Sequence, residues 1–196
     1  MFRSPLRRLV VLATSAVAVA VTALALSVPA QATTASSCAV TWGSLAKQGP
    51  ATGPVAGALL SNVRAGAQTC YDRLVIDIRG TSSMKSYRAE YVSQVTEDPS
   101  GRPVPLRGGA FLQIAVGASD HTAGGTLTYA PANRRELVNV SGFSAFRQVA
   151  WAGSSEGMSS IGLGVRARLP FRVFTLTGIP GSTTGTRVVI DVAHSW

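Results

Sequence analysis

From Tyr71 onward, apolar and polar residues alternate in short runs. In "DRLVIDIRG", residues 72–80, an extended chain puts Leu74, Ile76 and Ile78 on one face and Arg73, Val75 and Asp77 on the other. "SYRAEYVSQVTE" alternates in the same way, with Tyr87, Ala89, Tyr91, Ser93 and Val95 against Arg88, Glu90, Val92, Gln94 and Thr96. Further runs follow at "AFLQIAV", "GTLTYA", "ELVNVSGF", "FRQVAWAG", "SIGLGVRARL", "FRVFTLTG" and "RVVIDVAH", separated by Gly, Pro and Asn. Short period-2 runs at this density predict an all-β fold of about nine strands, a sandwich or barrel. A parallel α/β sheet would need crossover helices, and no helical periodicity appears after position 70.

One phrase occurs twice. "TRVVIDVAH", residues 186–194, repeats the order of Arg, three aliphatics, Asp and aliphatic seen at 73–78, so Val188, Ile190 and Val192 face away from Arg187, Val189 and Asp191. If the two strands lie antiparallel with Val75 opposite Val189, Arg73 meets Asp191 and Arg187 meets Asp77. Each such cross-strand ion pair contributes on the order of 0.2–1 kcal/mol. Arg73, Asp77, Arg187 and Asp191 are therefore expected to be structural, pairing strands in a sandwich of two related halves.

The N-terminal part reads differently. Arg3, Arg7 and Arg8 precede an apolar run from Leu9 to Leu26 that ends in "PAQA", so residues 1–32 are expected to be a signal peptide for the general secretory route, cleaved between Ala32 and Thr33. A retained membrane anchor is the alternative, opposed by the Ala-x-Ala ending and the lack of a basic stop-transfer flank. Residues 33–70 are rich in Gly, Pro, Ala and Ser and are expected to form an arm, with Val55, Ala58, Leu59 and Val63 as one face of a short helix. The domain proper is then 71–196. Cys38 and Cys70, an even pair in an exported chain, are expected to form a disulfide that tethers the arm, contributing roughly 3.5–4 kcal/mol by closing its loop.

Charge changes the picture moderately. The formal net charge is +9, and it falls to +6 once the three arginines before Leu9 are set aside. Outside the cell such a surface suits wall polymers, lipid headgroups or acidic glycans rather than nucleic acid, or simply keeps the domain soluble. Arg166, Arg168 and Arg172 form the densest basic group. Alternation would place Arg166 and Arg168 on one strand face, either as a dock for carboxylate or phosphate groups or as protection of a strand from edge pairing. Trp42, Tyr71, Tyr87, Tyr91, Tyr129, Trp151 and Trp196 would line a saccharide groove or fill the core.

Catalytic patterns are weak. "GSSEG", Gly153–Gly157, matches G-x-S-x-G with Ser155 in the nucleophile position and Asp191 and His194 downstream, as in a small secreted serine esterase. The elbow needs a strand leading into a helix, whereas "GMSSIGLGVR" follows, and Asp191 and His194 would point to opposite faces of one strand. Glu90, Glu97, Asp98, Glu136 and Glu156 show no spacing that defines a glycosidase pair. "ASDHTAGG" reads as a turn. Two isolated histidines and two cysteines offer no metal cluster, and no cofactor is implied.

The segments "CYDRLVIDIRG", "YRAEYV", "GGAFLQIAV", "SEGMSSIGLGVRARLPFRVFTL" and "TRVVIDVAH" together resemble the AMIN-like domain of secreted actinobacterial proteins, which is similar to the AMIN domains that target amidases and secretins to the envelope. The resemblance runs from about Leu60 to the C-terminus and departs at Ser155, where an aromatic is expected before Glu156. It implies a β-sandwich without catalytic activity, with peptidoglycan binding in some relatives. The expectation is an exported, secreted or wall-associated binding module with Arg166, Arg168 and Arg172 as ligand-binding candidates and no stable membrane span after signal cleavage. A serine hydrolase using Ser155 and a protein-interaction module of the envelope are the alternatives.

Overall fold

The computed structural model describes residues 38–81 and 83–196. Among them are nine strands and no helix: β1 (Lys47–Gln48), β2 (Leu59–Ala67), β3 (Tyr71–Arg79), β4 (Tyr87–Val92), β5 (Ala110–Val116), β6 (Phe146–Ser155), β7 (Met158–Val165), β8 (Phe171–Ile179) and β9 (Ser182–Ala193). They form two antiparallel sheets, ordered β1-β4-β5-β7-β6 and β2-β3-β9-β8. The expected signal segment and its cleavage point at Ala32 and Thr33 lie outside the described residues.

The two sheets pack face to face. Leu74, Ile76, Ile78, Val188, Ile190 and Val192 from one meet Leu112, Ile114, Val116, Ile161, Leu163 and Val165 from the other in a single core. Each fully buried aliphatic there contributes about 1.5–3 kcal/mol relative to exposure. At one end Asp72, fully buried, joins the sheets: one carboxylate oxygen accepts from the Ala145 and Phe146 amides at 2.6 and 2.9 Å, and the other meets His194 Nε2 at 3.0 Å.

The repeated phrase pairs as predicted. β3 and β9 lie antiparallel with Val75 opposite Val189, Arg73 opposite Asp191 and Asp77 opposite Arg187. Only one of the two expected ion pairs forms. Arg73 binds Asp191 through Nε at 2.7 Å and Nη2 at 2.9 Å, whereas Asp77 is held by Arg64 from β2 at 2.8 and 3.1 Å. Arg64 reaches both carboxylate oxygens from the neighbouring strand, and Arg187 turns to the Thr177 carbonyl at 3.0 Å.

Three local expectations are corrected. Residues 55–63 are not helical; β2 begins at Leu59, and a bulge between Leu60 and Asn62 adds a residue, so Leu60 and Val63 both face the core opposite Ile78 and Ile76. An i, i+3 apolar spacing thus arises in a strand. "GTLTYA" and "ELVNVSGF" are loops, in which the Thr128 and Tyr129 amides bond the Asp120 carbonyl and the Leu137 amide bonds the Val149 carbonyl, while Val140 is buried in the core. β7 stops at Val165, so Arg166 and Arg168 lie in the β7–β8 loop and not on a strand face.

The Cys38–Cys70 disulfide is formed, with 5.2 Å between the Cα atoms. It ties the chain ahead of β1 to the start of β3.

Candidate functional site

The outer face of β2-β3-β9-β8 carries the side chains that alternate with the core residues. Reading across the register, Arg73, Asp191 and Arg172 form one row, Val75, Val189 and Phe174 the next, and Asp77, Arg187 and Leu176 the third. Arg172 joins Arg73 on Asp191, with its Nε and Nη2 each 2.8 Å from the same carboxylate oxygen. Asp191 has no exposed side-chain surface, while Arg73 keeps 28% and Arg172 41%. A buried acid therefore braces two arginines that still reach solvent. The Asp191 hydrogen bonds push the Arg73 pKa up, and those of Asp77 do the same for Arg64, opposed in both by partial burial.

Aromatic rings gather around this row. The Arg172 guanidinium lies 4.4 Å from the Trp42 ring centroid, 5.6 Å from Tyr71 and 5.2 Å from Phe174; Arg73 lies 5.2 Å from Tyr71 and 5.5 Å from Phe174. Trp42 and Tyr71 meet edge to face at 5.7 Å. Stacking on rings leaves a guanidinium edge free to donate, and each such contact contributes about 0.5–1 kcal/mol where exposed. Arginine forks recognise carboxylate and phosphate groups, and the ring faces beside them offer apolar contact area.

The three arginines expected to bind ligand occupy different settings. Arg172 is in the cluster just described. Arg168 donates to the hydroxyl and carbonyl of Ser44 at 3.2 Å each and lies 4.9 Å from the Tyr91 ring. Between them runs the Trp42–Ser44 segment, whose Gly43 carbonyl accepts from the Phe171 amide. Arg166 bonds the His194 carbonyl. The segment ahead of β1 thus links Arg168 to Arg172, and the Trp196 indole adds a hydrogen bond to the Arg168 carbonyl at 3.1 Å.

Trp42 and Tyr71 were named from sequence only among the aromatics that would line a saccharide groove or fill the core, and Phe174 and Arg64 were not among the expected ligand-binding residues. For Tyr71 and Phe174 the signal was present in their two-residue spacing from Arg73 and Arg172. Trp42 carried no periodic signal, since its segment reaches the sheet through the disulfide and through contacts with Phe171 and Arg172 that lie far away in sequence.

The serine hydrolase arrangement is not assembled. Ser155 and Met158 pair across a two-residue turn formed by Glu156 and Gly157 at φ 51° and 77°, so "GSSEG" is a hairpin and not a strand-to-helix elbow. Asp191 and His194 are engaged elsewhere, with Arg73 and Arg172 and with Asp72. Near Ser119, His121 Nδ1 meets Asp120 at 2.6 Å and Ser119 Oγ at 3.2 Å; both use one ring nitrogen, whereas a relay needs two. Among the described residues no three or more His, Cys, Asp or Glu side chains are grouped to hold a metal.

No curated protein matches the chain. A family model for the AMIN-like domain matches residues 58–194, a span that takes in β2 through β9. By this match, over most of its length, the chain belongs to the AMIN-like domain family.

Proposed function

We propose that this protein is an exported, non-catalytic module that associates with the cell wall through an anionic polymer, peptidoglycan or another acidic glycan. Membership in the AMIN-like family points to a wall-related binding role. The observation that carries the ligand assignment is the Arg172 guanidinium set among Trp42, Tyr71 and Phe174 and braced by Asp191. Arg168, held by Ser44 on the far side of the Trp42–Ser44 segment, extends the basic surface, and Arg166 borders it. Cosedimentation with purified peptidoglycan tests the reading. The protein is expected in the pellet at low salt, released by raised salt, and weakened by R172A or W42A. No retention at any salt would refute it and favour a protein partner in the envelope. Labelling of Ser155 by a fluorophosphonate probe would refute the non-catalytic part.

A further inference from the structure

The third row of the same sheet face breaks the symmetry of the repeated phrase. Asp77, 2% exposed, has both carboxylate oxygens taken by Arg64. Arg187 stands opposite Asp77 in the register yet makes no ion pair among the described residues. Its Nη2 donates to the Thr177 carbonyl, and its buried Nε has no hydrogen-bond partner among the described residues. Buried donors without acceptors are rare in folded proteins and cost stability. With Arg64 reaching Asp77 from the row of Val75, two arginines share one aspartate, which leaves one positive charge in excess, on a guanidinium the fold does not saturate.

That guanidinium borders a cleft of about 530 Å³ at the tip of the β8–β9 hairpin, lined also by Arg64, Ser182 and Thr183. The hairpin departs from regular pairing between Thr177 and Ile179, with Gly178 and Gly181 at φ 79° and 78°. These irregularities open the turn beside Arg187 and leave hydroxyl side chains at its rim.

We propose that this cleft is a binding site for a single oxyanion group, a carboxylate or phosphate, with Arg187 as the main donor and Arg64 as a second positive charge. It is separate from the aromatic cluster: Arg187 and Asp191 are four residues apart on β9, which places the two sites about 13 Å apart along the strand. The site does not depend on the wall reading, because its ligand is defined by the guanidinium and not by a polymer.

Amide-resolved NMR titration of the protein with inorganic phosphate and, separately, acetate tests this. Saturable shifts confined to residues around Gly178, Ser182, Thr183 and Arg187 are expected with at least one anion. Binding by phosphate alone assigns a phosphate-bearing ligand, and binding by acetate alone a carboxylate. R187Q should weaken binding at least about tenfold, the loss of one charge-assisted hydrogen bond, whereas R172A should leave it unchanged. Should R187Q fail to fold, Ser182→Glu, made at the exposed first residue of β9, must abolish binding by placing a carboxylate in the cleft. Absence of saturation with both anions, or saturation that survives R187Q or Ser182→Glu, would overturn the proposal. Peptidoglycan cosedimentation depends on Arg172 and Trp42, so its failure would leave this result standing.

Discussion

Asp77 and Asp191 hold equivalent places in a repeated phrase and are both buried, yet their surroundings differ. Asp191 is shared by two arginines, and D191N leaves both facing a neutral amide. We predict a loss of about 2–4 kcal/mol, somewhat less than for a wholly buried pair because Arg73 and Arg172 reach water. R187Q should cost less than about 1 kcal/mol, since it removes one hydrogen bond together with an unsatisfied donor. Urea unfolding at neutral pH compares the two, and equal losses would contradict the assignment. A second prediction concerns Tyr129, whose phenol is pushed up to about 12 by burial and which packs against Trp151 at 5.4 Å. The folded state then holds this proton more tightly than the unfolded chain, where tyrosine titrates near pH 10. Its contribution is complete below that pH and is lost as pH rises to about 12. Between these limits the unfolding midpoint of the protein should fall more steeply than that of Y129F.

At the scale of elements, the β6–β7 hairpin shows how a motif changes meaning with its backbone. Both turn residues have positive φ, the two-residue geometry that favours Asn-Gly. E156N should therefore raise stability by a few tenths to about 1 kcal/mol. G157A should cost about 1–3 kcal/mol, because φ is 77° and the added Cβ would lie 2.7 Å from that of Pro54. S155A should change thermal stability little. The repeated strands were legible in sequence down to their register, because their aliphatics alternate without interruption and their charges are complementary at one alignment. β2 was hidden because Val55, Ala58 and Val63, which pack on the core from the loop before β2 and from its bulged strand, are spaced with Leu59 like one face of a helix. The loops at 125–130 and 136–143 looked like strands because Tyr129, Leu137, Val138, Val140 and Phe143 pack on the core, and periodicity reports burial before it reports hydrogen bonding. At the site, Arg172 was legible as a candidate. The capture of Asp77 by Arg64 was not, since it depends on which strand flanks β3, a fact that no local pattern contains.

In the molecule as a whole, the disulfide connects stability to recognition. Cys38 and Cys70 hold the Trp42–Ser44 segment beside β8 and β3, where Trp42 covers Arg172, Ser44 holds Arg168 and Gly43 bonds Phe171. Apart from the disulfide, that segment is anchored here by exposed or half-exposed contacts, each contributing about 1 kcal/mol or less. Those contacts are too weak to order a glycine-containing chain without the disulfide tether, since fixing each backbone residue costs about 1–2 kcal/mol. The double variant C38S/C70S should thus lose up to about 3.5–4 kcal/mol of stability, because its unfolded chain regains the entropy that the closed loop removes. It should also lose wall retention to the extent that W42A does, while the core sheets remain folded. Circular dichroism together with peptidoglycan cosedimentation distinguishes the two effects. A folded double variant with undiminished retention would show that the Trp42–Ser44 segment does not belong to the binding surface, and would confine that surface to Arg73, Arg172, Tyr71 and Phe174 on the sheet itself.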